Sequence, residues 1–314
     1  MRVILTRLAV SVILLLVVSF VVFSLLALAP GSIETTLLGA RPASPELIAA
    51  IRAEHHLDEP FPVQYLYWVA DVAQLDFGRS IVSSAPVLDI LAGRMAVSVQ
   101  LAVMAFLIAA LVGIPAGIAA ASWKGRSGDR LISLGAILGM SAPPFVVASL
   151  LIYVFGVLWP VLPVYGAGSP GVDRLVHLIL PSVALALGLG ALVVRQTRAA
   201  ALDVLDQDSI LFARARGLAR PLVMLRYVLR TIAPQVVAVL GLLLIVALPG
   251  AVLVEVVLSL PGVGSLMVEA VAAKDVPVVQ GLAIASALYV IVVSVLVDVF
   301  TVAVDPRIRA RAVA

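Results

Sequence analysis

Charged residues are absent from long stretches of this chain. Charge-free runs cover Leu8–Ile33, Met95–Trp123, Leu131–Val172, Leu175–Val194, Thr231–Val254 and Val276–Val297. A helix needs about 20 apolar residues to cross the hydrocarbon core of a bilayer. The third run is too long for one helix. Its second part carries Pro160, Pro163, Gly166, Gly168, Pro170 and Gly171, a composition of turns outside a membrane. The third span is therefore expected to end near Leu158, and the pattern predicts an all-α, polytopic bundle of six transmembrane helices. The first run also resembles a cleaved signal, with Arg2, Arg7 and Ala27-Leu28-Ala29. Its apolar stretch exceeds the about 7–15 residues of a signal core. Pro30 would also follow the scissile bond, where its ring hinders a peptidase. An uncleaved span is expected.

Three segments between spans have patterns of their own. In 30–94, Ser44-Pro45-Glu46 starts a helix well: Ser44 can cap, Pro45 suits the first turn, and Glu46 favours the positive end. Leu47, Ile48, Ile51 and His55 then share a face. Over Pro62–Leu75, Val63, Leu66, Tyr67 and Ala70 recur at helical spacing. In 195–230, the apolar patch Ile210-Leu211-Phe212-Ala213 lies between Asp208 and Arg214. Left in water, each large side chain there costs on the order of 2 kcal/mol. The patch either folds back on its own bundle or docks on a soluble partner. Gly217 supplies a helix stop, so a short element over Asp203–Arg216 is expected, presenting small Ala213 and Ala215 for close contact. In Glu255–Pro277, Leu260-Pro261-Gly262-Val263-Gly264 re-aims the chain, which predicts a re-entrant hairpin or a short helix in the outer leaflet.

Composition sharpens this picture. Apolar residues make up 63% of the 314 and charged residues 12%, too few charges to cover a water-facing surface. The net charge of +3 matters less than its distribution: 15 of the 21 Lys+Arg fall in 1–7, 124–130, 195–230 and 298–314. The positive-inside rule then puts both termini in the cytoplasm. The 30–94 segment, with eight acids against four bases, becomes a small extracellular helical segment. The domain organisation is a first helix with a cytoplasmic N-terminus (1–29), that segment (30–94) and a membrane core (95–314).

Candidate chemistry is sparse. Without cysteine there is no disulfide and no thiolate nucleophile or metal ligand. His55 and His56 are sequence neighbours and point apart on a helix, so no metal site is expected. No G-x-x-x-x-G-K-S/T motif occurs, so the chain lacks that phosphate loop, and no ATPase or other catalytic residue is assigned. Gly113-x-x-x-Gly117 and Gly135-x-x-x-Gly139 let helices approach closely. Pro115, Pro143-Pro144, Pro181, Pro234 and Pro249 are either ordinary kinks or flexing points. Glu255, His177 and Asp298 fall near span ends and read as interfacial or structural residues rather than proton relays. Apolar and small polar groups such as Ser98, Gln100, Ser141 and Ser286 are expected to line a pathway, with the substrate-binding residues unassigned.

The order of these features resembles a known family. Asp208-Ser209-Ile210-Leu211-Phe212-Ala213-Arg214-Ala215-Arg216-Gly217-Leu218 is similar to the "EAA" coupling loop of ABC-importer permeases, in the dipeptide/oligopeptide/nickel branch. Further matches are Ala29-Pro30-Gly31, Pro62-Val63-Gln64-Tyr65, Asp76-Phe77-Gly78, Gly113–Gly117, Asp129-Arg130, His177-Leu178 with Leu180-Pro181-Ser182, Leu260–Gly264, Pro277–Gly281 and Asp305–Arg309. Leu211 and Phe212 stand where the family carries an Arg- or Glu-like residue and Thr, which makes this loop greasier. The resemblance implies a permease that pairs with a second, homologous permease in the bacterial plasma membrane. It implies one or two kinds of ABC ATPase subunit below, which bind the ATP and magnesium, and an extracytoplasmic solute-binding protein outside. It carries no cofactor to this chain and no nucleic-acid partner. It also assigns Asp208, Phe212, Ala213, Arg214, Ala215, Arg216 and Gly217 to ATPase coupling. Glu255, Pro261, Gly262 and Gly264 are assigned to an outer hairpin or gate.

Peptides or a similar small solute are the expected cargo, with nickel or a metal chelate as the alternative within the family. A stand-alone secondary transporter would carry buried ionisable residues and an internal repeat, neither of which is visible in the sequence. A membrane-embedded enzyme would need a nucleophile with a base, and the three histidines are too scattered. The topology is directly testable. Cysteines placed at Ser44 and Ser209 should label from outside and from inside respectively; labelling of both from one side refutes it.

Overall fold

Helices dominate the computed structural model, which describes residues 2–28, 44–54 and 56–304. Ala29-Pro30-Gly31, His55, Asp305–Arg309 and the side chains of Leu47, Ile48 and Ile51 lie outside the described residues. In chain order the helices are α1 (Arg2–Leu28), α2 (Pro45–Glu54), α3 (Phe61–Ala73), α4 (Val87–Ser122), α5 (Ser127–Ser141) and α6 (Pro144–Ile152). Then come α7 (Val172–His177), α8 (Ile179–Leu205), α9 (Asp208–Ala215), α10 (Arg220–Val223), α11 (Leu229–Val257), α12 (Val263–Ala272) and α13 (Val276–Val304). Extended pairing among the described residues is confined to the Arg79–Pro86 bridge.

Four continuous helices are long and apolar enough to cross a membrane: Val87–Ser122, Ile179–Leu205, Arg220–Val257 and Val276–Thr301. They match the second, fourth, fifth and sixth charge-free runs. Of α1, the apolar portion with described side chains is Ala9–Ser24. The third run differs from the single span expected of it. It forms α5 and α6, bent by 98° at Ser141–Pro144. Pro143 and Pro144 lack an N–H, and each pushes its predecessor out of the α region; Ala142 has ψ 118° and Pro143 ψ 136°. From Tyr153 to Leu158 the backbone widens into a π-helical turn, stopping at Trp159. Pro115, Pro234 and Pro249 lie inside uninterrupted helices.

The helices sort into two compact units, Met1–Ala96 with Ser265–Val292, and Val97–Gly264 with Val293–Ala314. In the first, α1 and α3 meet through aromatic rings. Phe23 lies 5.3 Å from Phe61, 5.6 Å from Tyr65 and 5.5 Å from Trp68, ring centre to ring centre. The Tyr65 hydroxyl bonds Ser19 Oγ at 2.7 Å. The packed face of α3 is thus Phe61, Tyr65 and Trp68. Leu66 and Tyr67, two of the residues that recur at helical spacing, are exposed. His56 stacks on Tyr67 at 4.0 Å. Asp275 is buried and staples this unit, accepting from Ser80 Oγ at 2.5 Å and from the Ile81 N–H at 3.1 Å.

The second unit is organised on α8. Val97, Leu101, Ala105 and Ala109 recur every fourth residue on one face of α4 and join Leu185, Val193, Leu243 and Val254 in the largest core. Glycines set the approach to α8. A Cβ at Gly113 would stand 2.8 Å from Val193 Cβ, and one at Gly117 2.8 Å from the Val194 carbonyl. On α5, a Cβ at Gly139 would meet the Leu187 carbonyl at 3.2 Å, whereas one at Gly135 meets nothing within 4 Å. The Gly113/Gly117 pair therefore serves packing, and of the Gly135/Gly139 pair Gly139 alone does.

This difference predicts a contrast. Gly117→Leu should destabilise the protein by about 1–3 kcal/mol through overpacking. Gly135→Leu, which meets open space, should leave thermal stability in detergent unchanged or slightly raised.

Candidate functional site

The short helix α9 follows α8 after the turn at Asp206-Gln207. It starts at Asp208, later than the Asp203 expected, because α8 continues through Asp203 to Leu205. Asp208 lies in its first turn, where a carboxylate suits the helix dipole. The helix stops in two paired bonds: the Gly217 N–H donates to the Arg214 carbonyl at 2.9 Å and the Leu218 N–H to the Ala213 carbonyl at 3.3 Å. That is the Schellman arrangement, which needs a left-handed residue at the reversal. Gly217 supplies it with φ +75°, as the sequence led one to expect.

The apolar patch on α9 divides between the two resting places open to it. Ile210 and Ala213, three residues apart, are buried at 1% and 4% exposure. They pack with Ala201, Val204, Val223, Met224 and Val228 of the same unit. Leu211 and Phe212 point away and are each 66% exposed. The expectation that Ala213 and Ala215 jointly form a contact surface is corrected: Ala213 belongs to the chain's own core, and Ala215 alone is exposed. Asp208, Arg214 and Arg216 are exposed as well.

A feature missed in the sequence lies close by. Asp129, in the first turn of α5, is buried at 4% exposure. Arg198 of α8 grips it with two charge-assisted bonds, Nε to Oδ1 at 2.6 Å and Nη2 to Oδ2 at 2.8 Å. The Gly125 N–H at 3.0 Å and Ser133 Oγ at 3.3 Å complete the carboxylate's shell. The signal available beforehand was one acid and one base, each among other charges within four residues of a charge-free run. Nothing in the spacing said that they meet.

The second candidate region is the turn after α11. Glu255 is completely buried. Ser98 Oγ donates to its Oε1 at 2.5 Å and accepts the Val263 N–H at 2.8 Å. The Leu260 N–H returns to the Glu255 carbonyl at 2.8 Å. The turn wraps the carboxylate so closely that a Cβ at Gly262 would fall 2.3 Å from the Glu255 carboxyl carbon. One at Gly264 would fall 2.6 Å from Val252 Cα. Both glycines are buried and Pro261 is exposed. The short helix expected after the turn is α12. Ser98, expected to line a pathway, is instead fully buried against Glu255.

Several apolar helices of membrane-spanning length, two of them tied to a short helix at their ends, define a multi-pass membrane protein. The chain belongs to the family described as binding-protein-dependent transport system inner membrane component, whose profile matches residues 113–310. The N-terminal profile of the same system matches residues 1–102. The probable peptide ABC transporter permease protein y4tP of Sinorhizobium fredii is 36% identical over 311 residues, 98% of each chain. The glutathione transport system permease protein GsiC of Escherichia coli K12 is 36% identical over 295 residues, 94% of each chain. The fold is similar to that of the MetNI methionine ABC transporter in inward facing conformations, with TM-score 0.56 and 15% identity. That likeness covers 69% of this chain and 96% of the other. The chain is thus a permease of the peptide-family ABC importers.

The Glu255 network predicts a stability effect. Ser98→Ala removes a donor from one buried group and an acceptor from another, and should cost about 1–3 kcal/mol. Ser149→Ala, at an exposed helix position, should stay within about 0.5 kcal/mol. Thermal unfolding of the two variants in one detergent checks this.

Proposed function

We propose that this chain pairs with a second, homologous permease to form the translocation pathway of an importer for peptides or a similar small solute. An extracytoplasmic binding protein delivers the solute. Two ABC ATPase subunits on the cytoplasmic side bind ATP and magnesium and supply the energy. The coupling element is α9, whose turn also carries Arg216 and Gly217. The observation that carries this reading is the divided face of α9. Ile210 and Ala213 fix the helix to its own bundle, while Leu211 and Phe212 remain 66% exposed. Two large apolar side chains left in water cost on the order of 2 kcal/mol each, so a groove on an ATPase is their natural resting place. A helix seated on both sides transmits motion. Closure of the ATPases would move α9 and, through its buried side, the ends of α8 and α11, in rigid-body alternation of access. On this reading the turn wrapped on Glu255, with Pro261, Gly262 and Gly264, is the outer hairpin that moves as a unit with α11.

The divided face makes the test a comparison of two positions on opposite sides of the same helix. Phe212→Ala should leave the permease within about 0.5 kcal/mol of wild-type stability, as expected for an exposed side chain. It should nevertheless lower transport and co-purification of the ATPase. Ile210→Ala should destabilise the permease itself by about 2–4 kcal/mol. Gly217→Val, which forces a β-branched residue to positive φ, should cost roughly 1–2 kcal/mol and disturb both readouts. Wild-type transport and assembly in Phe212→Ala, together with Arg214→Glu and Gly217→Val, would remove α9 from the coupling role.

A further inference from the structure

Behind α9 lies a cavity of about 200 Å³, lined among others by Ser122, Lys124, Asp206, Arg214, Arg220 and Met224. It opens where α4 and α8, both of membrane-spanning length, come to their ends. Three cations and one acid face it. Lys124 is held by Asp206 at 3.2 Å. Arg220 directs one Nη2–H to the Ser122 carbonyl, which leaves most of its five guanidinium donors without a partner among the described residues. Arg214 sits on the cavity side of α9, one residue beyond buried Ala213, and makes no hydrogen bond or ion pair among the described residues. The space is far more than one water needs. Two forked guanidiniums beside an ammonium match the oxygens of a phosphate group.

We propose that this cavity is an anion site for a phosphate group. Its place at the ends of apolar helices makes an acidic phospholipid headgroup the first source, since basic pockets between transmembrane helices hold such headgroups. A free phosphate ester is the second source of the same chemistry. Either ligand would join α9 to the ends of α4 and α8, so occupancy would stiffen the base of the coupling element. The binding chemistry requires only that the chain lies in a membrane; the coupling consequence rests on the function proposed above.

The test uses the full permease purified with its partner subunits, as wild type, Arg214→Gln, and Arg130→Gln as an exposed-charge control away from the cavity. Each is delipidated and titrated with nanodiscs of phosphatidylcholine alone or with phosphatidylglycerol. Retained lipid is counted by native mass spectrometry, and inorganic phosphate is titrated separately by thermal shift. Selective retention of phosphatidylglycerol, reduced about tenfold in Arg214→Gln and unchanged in Arg130→Gln, supports a headgroup site; a tenfold loss corresponds to about 1.4 kcal/mol. Stabilisation by inorganic phosphate that Arg214→Gln abolishes, without lipid selectivity, supports the site with a soluble source. Equal loss in both variants, or no selectivity for either ligand, overturns it. ATPase dissociation in Arg214→Gln with no change in lipid or phosphate binding also overturns it and gives Arg214 to the protein interface, leaving the role of Phe212 intact.

Discussion

Close approach of α4 and α5 to α8 is the constraint on which the larger unit depends. In lipid, burying apolar side chains between helices gains little, because the solvent is itself apolar. Helices must instead come near enough for dispersion contacts. Gly113 and Gly117 on α4 and Gly139 on α5 allow this, since a Cβ at any of them would stand 3.2 Å or less from a carbonyl or side chain of α8. Where the glycine stripe ends, the Asp129–Arg198 pair takes over and ties the start of α5 to α8 by charge. The same helix therefore receives a small-residue contact along its length and an ionic clamp near its end.

That arrangement bears on function because α9 hangs from the end of α8. Its inner side chains, Ile210 and Ala213, are packed with residues of α8, with Val223 of α10, and with Met224 and Val228 of the π-helical turn Met224–Val228 that follows it. A side chain that is both buried and rigidly seated passes on displacement; an exposed loop would absorb it. The outer side chains, Leu211 and Phe212, have no such seat among the described residues. On the proposed coupling role, the apolar residues at these two positions would make the partner contact a matter of hydrophobic burial while leaving the inner seat unchanged.

The opposite strategy operates at Glu255. A carboxylate taken fully out of water is costly unless hydrogen-bonded. Here the chain folds a glycine-rich turn around it and lends it Ser98. Gly262 and Gly264 are needed for space, because neither has a positive φ and each faces atoms where a Cβ would collide. A buried acid tied to a turn holds that turn to α11.

The sequence by itself determined what local physics decides. Charge-free runs placed the apolar helices, Ser44-Pro45-Glu46 placed the start of α2, and Gly217 placed the stop of α9, because span length, capping and left-handed backbone are properties of neighbouring residues. It marked the 208–217 loop and the 260–264 turn as special through apolar residues and glycines in unexpected company. Tertiary structure alone decided which way those residues point. The 98° break at Pro143-Pro144 required knowing that the chain re-aims there, whereas Pro115, Pro234 and Pro249 stay inside helices. That Phe61, Tyr65 and Trp68 rather than Leu66 and Tyr67 form the packed face of α3 turned on the position of α1. Ser98 meeting Glu255 and Asp129 meeting Arg198 join residues 157 and 69 positions apart. Such pairings depend on how helices are rotated against one another, and periodicity within a single helix carries no record of its partner.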